Sequence, residues 1–179
     1  MTPVLRVASR HLARIAAIVA ALALLPAGAR AQEPAAAAAD SEAPNVWVSL
    51  ALGRAYDRHD LKLGGAASFW LSSGALALGA RIAGPSDFDN GSITDGSLLV
   101  GLRRPLDWAT VVGAVGFGVS TAKFGCCDDR PLVGAMTYHG EAVVSARYAG
   151  VGLSVFGALE PASRAYTAIG LTLEIGRIH

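Results

Sequence analysis

The chain has 179 residues, 53% of them hydrophobic and 16% charged, with a formal net charge of +1. A near-neutral chain with no basic stripe excludes nucleic acid as a partner. Its 21 glycines, beside a hydrophobic fraction carried mostly by Ala, Val and Leu, fit crowded strands better than a bulky globular core.

Arg6, Arg10 and Arg14 lead into an apolar run from Ile15 to Leu25 and then an Ala29-Arg30-Ala31 site. That order is a signal peptide over residues 1–31, with cleavage predicted before Gln32. The run is well short of the roughly 20 residues a spanning helix needs, which argues against an N-terminal anchor. With no Cys near the site, lipid attachment is not indicated. Residues 32–44, rich in Ala, Glu, Asp and Pro without periodicity, read as a flexible periplasmic tail. Downstream, no apolar run of spanning length is free of Gly, Pro or charge. Any membrane crossing is therefore made by strands.

The remaining residues, 45–179, alternate. Strand one, Asn45 to Ala55, sets Val46, Val48, Leu50 and Leu52 against Trp47, Ser49, Ala51 and Gly53. After a polar connection holding Arg58, His59 and Asp60, strand two runs from Leu61 to Leu71. Its Leu61, Leu63, Phe69 and Leu71 oppose Lys62, Gly64, Ser68 and Trp70. Ser72 and Ser73 are the predicted turn into strand three, Gly74 to Ala83, where Leu76, Leu78, Ala80 and Ile82 oppose Ala77, Gly79 and Arg81. Gly84 to Gly96 reads as a loop by composition.

Strand four is predicted over Ser97 to Arg104 and strand five over Trp108 to Ser120, followed by a polar loop from Thr121 to Pro131. Strand six, from Tyr138, carries Tyr138, Gly140, Ala142, Val144, Ala146 and Tyr148 on one parity. The other parity holds His139, Glu141, Val143, Ser145 and Arg147. Placing the turn at Ala149 and Gly150 pairs Tyr148 with Val151 and Ala146 with Leu153, so apolar meets apolar down the hairpin. Strand seven runs to Leu159, and strand eight from Ala165 to His179.

Eight strands with tight connections after the second, fourth and sixth, while those after the first, third, fifth and seventh include the long polar ones, are what an up-and-down barrel with two unlike ends shows. A soluble barrel of the lipocalin kind has similar strands but turns its apolar residues inward, around a small apolar ligand. Here the less apolar face is mostly Gly, Ala and Ser, too small and uncharged for a water-facing surface. Small residues suit the interior of an eight-stranded barrel instead, since side chains alone fill that space.

On this alternation and topology residues 45–179 resemble the small eight-stranded Gram-negative outer-membrane barrels, of the OmpA transmembrane domain and OmpX type. The resemblance implies an all-β, antiparallel, transmembrane barrel in the cell outer membrane. Its expected partners are outer-membrane lipids and the barrel assembly machinery, with no cofactor and a structural or attachment role rather than an enzymatic one. Members usually end on alternating apolar residues and a terminal aromatic. Ile169, Leu171, Leu173 and Ile175 keep the alternation, Arg177 interrupts it, and His179 stands at the last position. What the external loops bind is not encoded in any motif.

Charged and polar residues on the inward parity are the candidate site. Lys62, Arg81, Glu141 and Glu174, with His139, are expected to form an ionic cluster in the lumen, because a lone buried charge is costly and a pair offsets that cost. Tyr138 and Tyr148 bracket the apolar side about 23 Å apart in height, near the roughly 25 Å of a girdled apolar band. His139, Glu141 and Ser145 share a face, but their spacing along one strand argues against a catalytic triad. No other motif points to a lipid-modifying enzyme, the third reading after the membrane and soluble barrels. Cys126 and Cys127 are neighbours in an external loop, open to a strained vicinal disulfide, a link between chains, or two free thiols. With Asp128 and Asp129 beside them and no further Cys or His at ligand spacing, no metal site is expected.

Overall fold

The structure is a computed structural model that describes residues 44–56, 61–87, 91–124, 128–129, 132–146, 148–159 and 165–177. The signal segment, His59 and Asp60, Cys126 and Cys127, and His179 lie outside the described residues.

Alternation becomes eight long strands: β1 (Asn45–Tyr56), β2 (Leu61–Ser73), β3 (Leu76–Asp87), β4 (Gly91–Pro105), β5 (Thr110–Phe124), β6 (Val133–Ala146), β7 (Ala149–Leu159) and β8 (Tyr166–Arg177). Each pairs antiparallel with its chain neighbours, and β8 pairs with β1, so the sheet closes into a barrel without an open edge. A two-residue strand, Asp128–Asp129, extends the far end of β5. Among the described residues there is no helix.

The two ends differ less than the alternation of tight and long connections implies, because most of the stretch after Gly84 is strand and leaves 88–90, shorter than 106–109, at the end expected to hold long connections. The start of β1, the end of β8 and the connections at 74–75, 106–109 and 147–148 share one end, here the turn end. The other end, the loop end, carries 57–60, 88–90, 125–132 and 160–165.

Three local expectations are corrected. The β2–β3 turn falls at Gly74 and Ala75, two residues later than Ser72 and Ser73, because Gly74 takes a φ of 57° that a side chain resists. β6 and β7 join between Ala146 and Ala149, two residues earlier than Ala149 and Gly150, so Ala146 faces Ala149 and Val144 faces Val151. Gly150 belongs to the strand: a Cβ there would lie 2.5 Å from Val143 Cγ1, a fit only glycine allows. The slip is even, so both faces keep their composition. Finally, most of the stretch from Gly84 to Gly96 is strand, leaving 88–90 between β3 and β4. Its polar residues sit at the loop end of the sheet, where composition mimics a loop.

The leucine and valine parity faces outward. Leu50, Leu78, Val144 and Leu173 are 51%, 51%, 54% and 47% exposed. Inside, packing forms two layers. One gathers Trp47, Trp70, Ala77, Leu99, Val112 and Ala114; the other gathers Ile93, Phe156 and Tyr166 among alanines. Trp47 and Trp70 are cross-strand partners whose rings stack 5.9 Å apart, and Gly79 makes room for Trp70, since a Cβ there would lie 2.6 Å from its ring.

Candidate functional site

Inward-facing residues of β3, β4 and β8 build the first polar centre. Arg81 is fully buried and donates from Nη2 to Asp95 Oδ1 at 2.8 Å. It also donates from Nη1 to the Tyr138 carbonyl at 2.6 Å and from Nη2 to the Gly157 carbonyl at 3.1 Å. The Tyr166 hydroxyl donates to the second oxygen of Asp95. One guanidinium from β3 thus reaches across the lumen to the backbone of β6 and β7 while holding a carboxylate from β4. The pairing offsets the cost of an isolated buried charge, although Arg81 Nε is buried without a hydrogen-bond partner.

A second centre lies beyond an aromatic layer. Phe156 sits under the Arg81 guanidinium, 5.9 Å from its ring centroid, and stacks on His139 at 6.3 Å. His139 also meets Trp70 at 5.3 Å. Below it, His139 Nε2 lies 3.1 Å from Glu141 Oε2, and Trp47 Nε1 donates to Glu141 Oε1 at 3.4 Å. Glu174 is in hydrogen-bond contact with Glu141, with the Arg103 charge nearby.

The lumenal charges therefore divide. Arg81 pairs with Asp95, not with Glu141; His139 joins Glu141 and Glu174 in the other centre. Lys62 is half-buried at the loop end of β2, six residues from Ser68, the strand partner of Arg81, or about 20 Å along the strand. The same-face spacing of His139 and Glu141 does bring their side chains together, whereas Ser145 lies four residues further, beside the turn. Asp95, Arg103, Trp47 and Tyr166 complete the two centres, and no sequence motif marks them. For Asp95 the signal was its odd-number parity with Ser97 and Leu99, hidden inside an apparent loop.

The outer face has its own order. Among strand residues whose side chains are described, Arg54 near the loop end and Arg104 near the turn end are the charged residues on the outward parity. Everything between is apolar or small. From Thr94 to Arg104 of β4 is ten residues, about 25 Å of height at a tilt near 40°. Tyr138 lies half-buried on this face and crosses Gly157, placing its hydroxyl 2.6 Å from Thr167 Oγ1. Tyr148 is exposed, within the β6–β7 turn rather than on a strand. Trp108, 71% exposed, occupies the same end. A shallow apolar groove on the outer face runs between Phe117, Met136 and Leu159.

A closed eight-stranded antiparallel barrel, filled by side chains and apolar outside, defines the class of small up-and-down barrels. Within that class the fold is similar to solved outer-membrane barrels. The N-terminal β-barrel domain of Pseudomonas aeruginosa OprF aligns with a TM-score of 0.57 at 10% identity, over 74% of this chain and 96% of that one. Neisserial surface protein A aligns with a TM-score of 0.58 at 5% identity, over 74% and 96%. Ail, the attachment invasion locus protein of Yersinia pestis, aligns with a TM-score of 0.52 at 12% identity, over 75% and 97%. No protein-family model matches the sequence, and no curated protein matches it.

Proposed function

We propose that this chain is a non-enzymatic, integral outer-membrane barrel whose wall contacts lipid, whose lumen is filled, and whose loops face outward in a structural or attachment role. The observation that carries the reading is the uncharged outward belt between Arg54 and Arg104. In water, such a belt is a continuous apolar patch far larger than soluble monomers expose. In hydrocarbon it is the required surface, and the closed hydrogen-bond ladder leaves no strand edge to solvate.

We read Tyr148 in the turn and Trp108 at the same end, with Tyr138 on the strand, as the candidates for aromatic girdles. The N-terminal signal, cleaved before Gln32, would deliver the chain to the periplasm, and the barrel assembly machinery would insert it. A filled lumen supports structure over transport: Trp47, Trp70, Phe156 and Arg81 are fully buried within it. Burial of His139 and Glu141 in the same interior supports the non-enzymatic reading. Soluble ligand binding in a lipocalin-like barrel fits poorly, because the leucines that would line its cavity face out.

Attachment is the finer reading. Ail, similar in fold, is an attachment invasion locus protein and has been solved with the heparin analogue sucrose octasulfate. The loop-end connections at 57–60, 88–90, 125–132 and 160–165 are the segments available for such contact here.

Cell fractionation tests the reading. The chain is expected in the detergent-soluble outer-membrane fraction, migrating faster on gels unheated than heated. Recovery in the detergent-free periplasmic extract would overturn it.

A further inference from the structure

Two carboxyl groups meet inside the barrel toward the turn end. Glu141 of β6 and Glu174 of β8 are 3% and 2% exposed and stand in hydrogen-bond contact. Their strands are not neighbours, since β7 lies between them, so the contact crosses the lumen rather than following the ladder. Glu141 also accepts from Trp47 Nε1 of β1 at 3.4 Å and lies 3.1 Å from His139 Nε2. Among the described residues the other charged group facing the pair is Arg103 of β4. The cross-strand partners of Glu141, Val112 and Ser154, and those of Glu174, Ser49 and Gly150, carry no charge. Trp70 of β2 is uncharged too, and Arg81 of β3 is held by Asp95 on the far side of Phe156.

We propose that Glu141 and Glu174 hold one proton between them, and that this shared proton latches β8 to β6 across the lumen and makes closure of the turn end sensitive to pH there. Two ionised carboxylates cannot hydrogen-bond each other, and in a closed site their like charges would part them. The proton's other seat would be His139, and the geometry speaks against it. His139 Nδ1 is buried without a partner, and the ring meets Trp70 and Phe156. A neutral ring with its hydrogen on Nε2 donates to Glu141 and leaves only an unfilled lone pair at Nδ1. An imidazolium would bury an N–H with nothing to accept it. Glu141, accepting from Trp47 and His139, is then the carboxylate, and Glu174 carries the proton and donates it. One carboxylate against the Arg103 guanidinium leaves the centre neutral. Glu174 is three residues from Arg177, where β8 ends, about 8 Å of height at a tilt near 40°, so the proton exchanges with the compartment at the turn end.

The test uses the full mature chain folded in detergent, with infrared spectra and urea unfolding followed from neutral to mildly alkaline pH. Wild type is expected to show the carbonyl band of a protonated, buried carboxyl at neutral pH, and Glu174→Gln to lack it. Above the ordinary carboxylate range the folded barrel holds one proton more than the unfolded chain. Its folding constant is therefore expected to fall as pH rises, by up to about tenfold per pH unit, until the proton leaves. Glu174→Gln donates an amide N–H to Glu141 with no proton to take up, so it matches or exceeds the wild-type midpoint at neutral pH and loses that slope. Glu174→Ala offers no donor and unfolds at lower urea. Nitrogen resonances of the labelled His139 ring are expected to report the neutral Nε2–H tautomer. No acid band in wild type, a band that survives Glu174→Gln, the same pH slope in both, Glu174→Gln as unstable as Glu174→Ala, or an imidazolium at His139 would overturn the proposal. Should Glu174→Ala fail to fold, the wild-type band and the Glu174→Gln slope decide it.

Discussion

Arg81 of β3 and Asp95 of β4 form a fully buried ion pair, 2.8 Å between Nη2 and Oδ1, in the middle of the lumen. Removing one partner strands the other in a site closed to water. Asp95→Ala is expected to destabilise the barrel by about 3–5 kcal/mol, and the double variant Arg81→Met, Asp95→Ala by clearly less. Urea titration of folded protein in detergent, scored by gel mobility, measures both. A double variant as unstable as the single would show that the pair is not the unit.

Legibility in the sequence followed physical range. Which side chains share a face is local information, since parity follows from the pleat. Parity alone puts Leu50, Leu78, Val144 and Leu173 on the outer face, where they are exposed. Turn positions are off by two residues at both hairpins, because composition alone puts Gly74 in a strand and Gly150 in a turn. One needs a positive φ; the other needs space beside Val143. Asp95 is not legible in this way. Its partner is fourteen residues away across a strand pair, and polar composition around it resembled a loop. Parity brought Arg81 and Glu141 to the same interior but said nothing of Phe156, the ring that comes between Arg81 and the His139–Glu141 centre.

Tyr138 offers a test on the outer wall. Its hydroxyl bonds Thr167 Oγ1 over Gly157, where a Cβ would come within 2.4 Å of the phenol oxygen. Tyr138→Phe leaves the Thr167 hydroxyl on an apolar surface and is expected to cost about 1–2 kcal/mol. Adding Thr167→Val is expected to recover part of that loss. Urea midpoints of the single and double variants decide it; a purely additive double would show that the two hydroxyls act independently.

Trp47 and Trp70 test whether side chains close the lumen. Both rings are buried, and they stack against each other, with His139 on the far side of Trp70. Trp70→Ala is expected to cost about 3–5 kcal/mol. In planar bilayers wild type is expected to be non-conducting, while Trp47→Ala with Trp70→Ala opens measurable conductance. A conducting wild type would contradict a filled interior.

Leu171 sits mid-belt on β8, 67% exposed, paired with Leu52 and Leu153. On a soluble protein an exposed Leu→Arg change is close to neutral. Facing hydrocarbon at the bilayer midplane it costs about 2–4 kcal/mol, falling to about 0–1 kcal/mol near the interface. Leu171→Arg is therefore expected to be strongly destabilising in lipid vesicles, and Thr94→Arg, outward at the belt's loop-end edge, nearly silent. The contrast between the two positions carries the information, because a general intolerance of charge would penalise both alike. Equal unfolding midpoints for Leu171→Arg and wild type in vesicles would place that leucine in water, and the wall of the barrel with it.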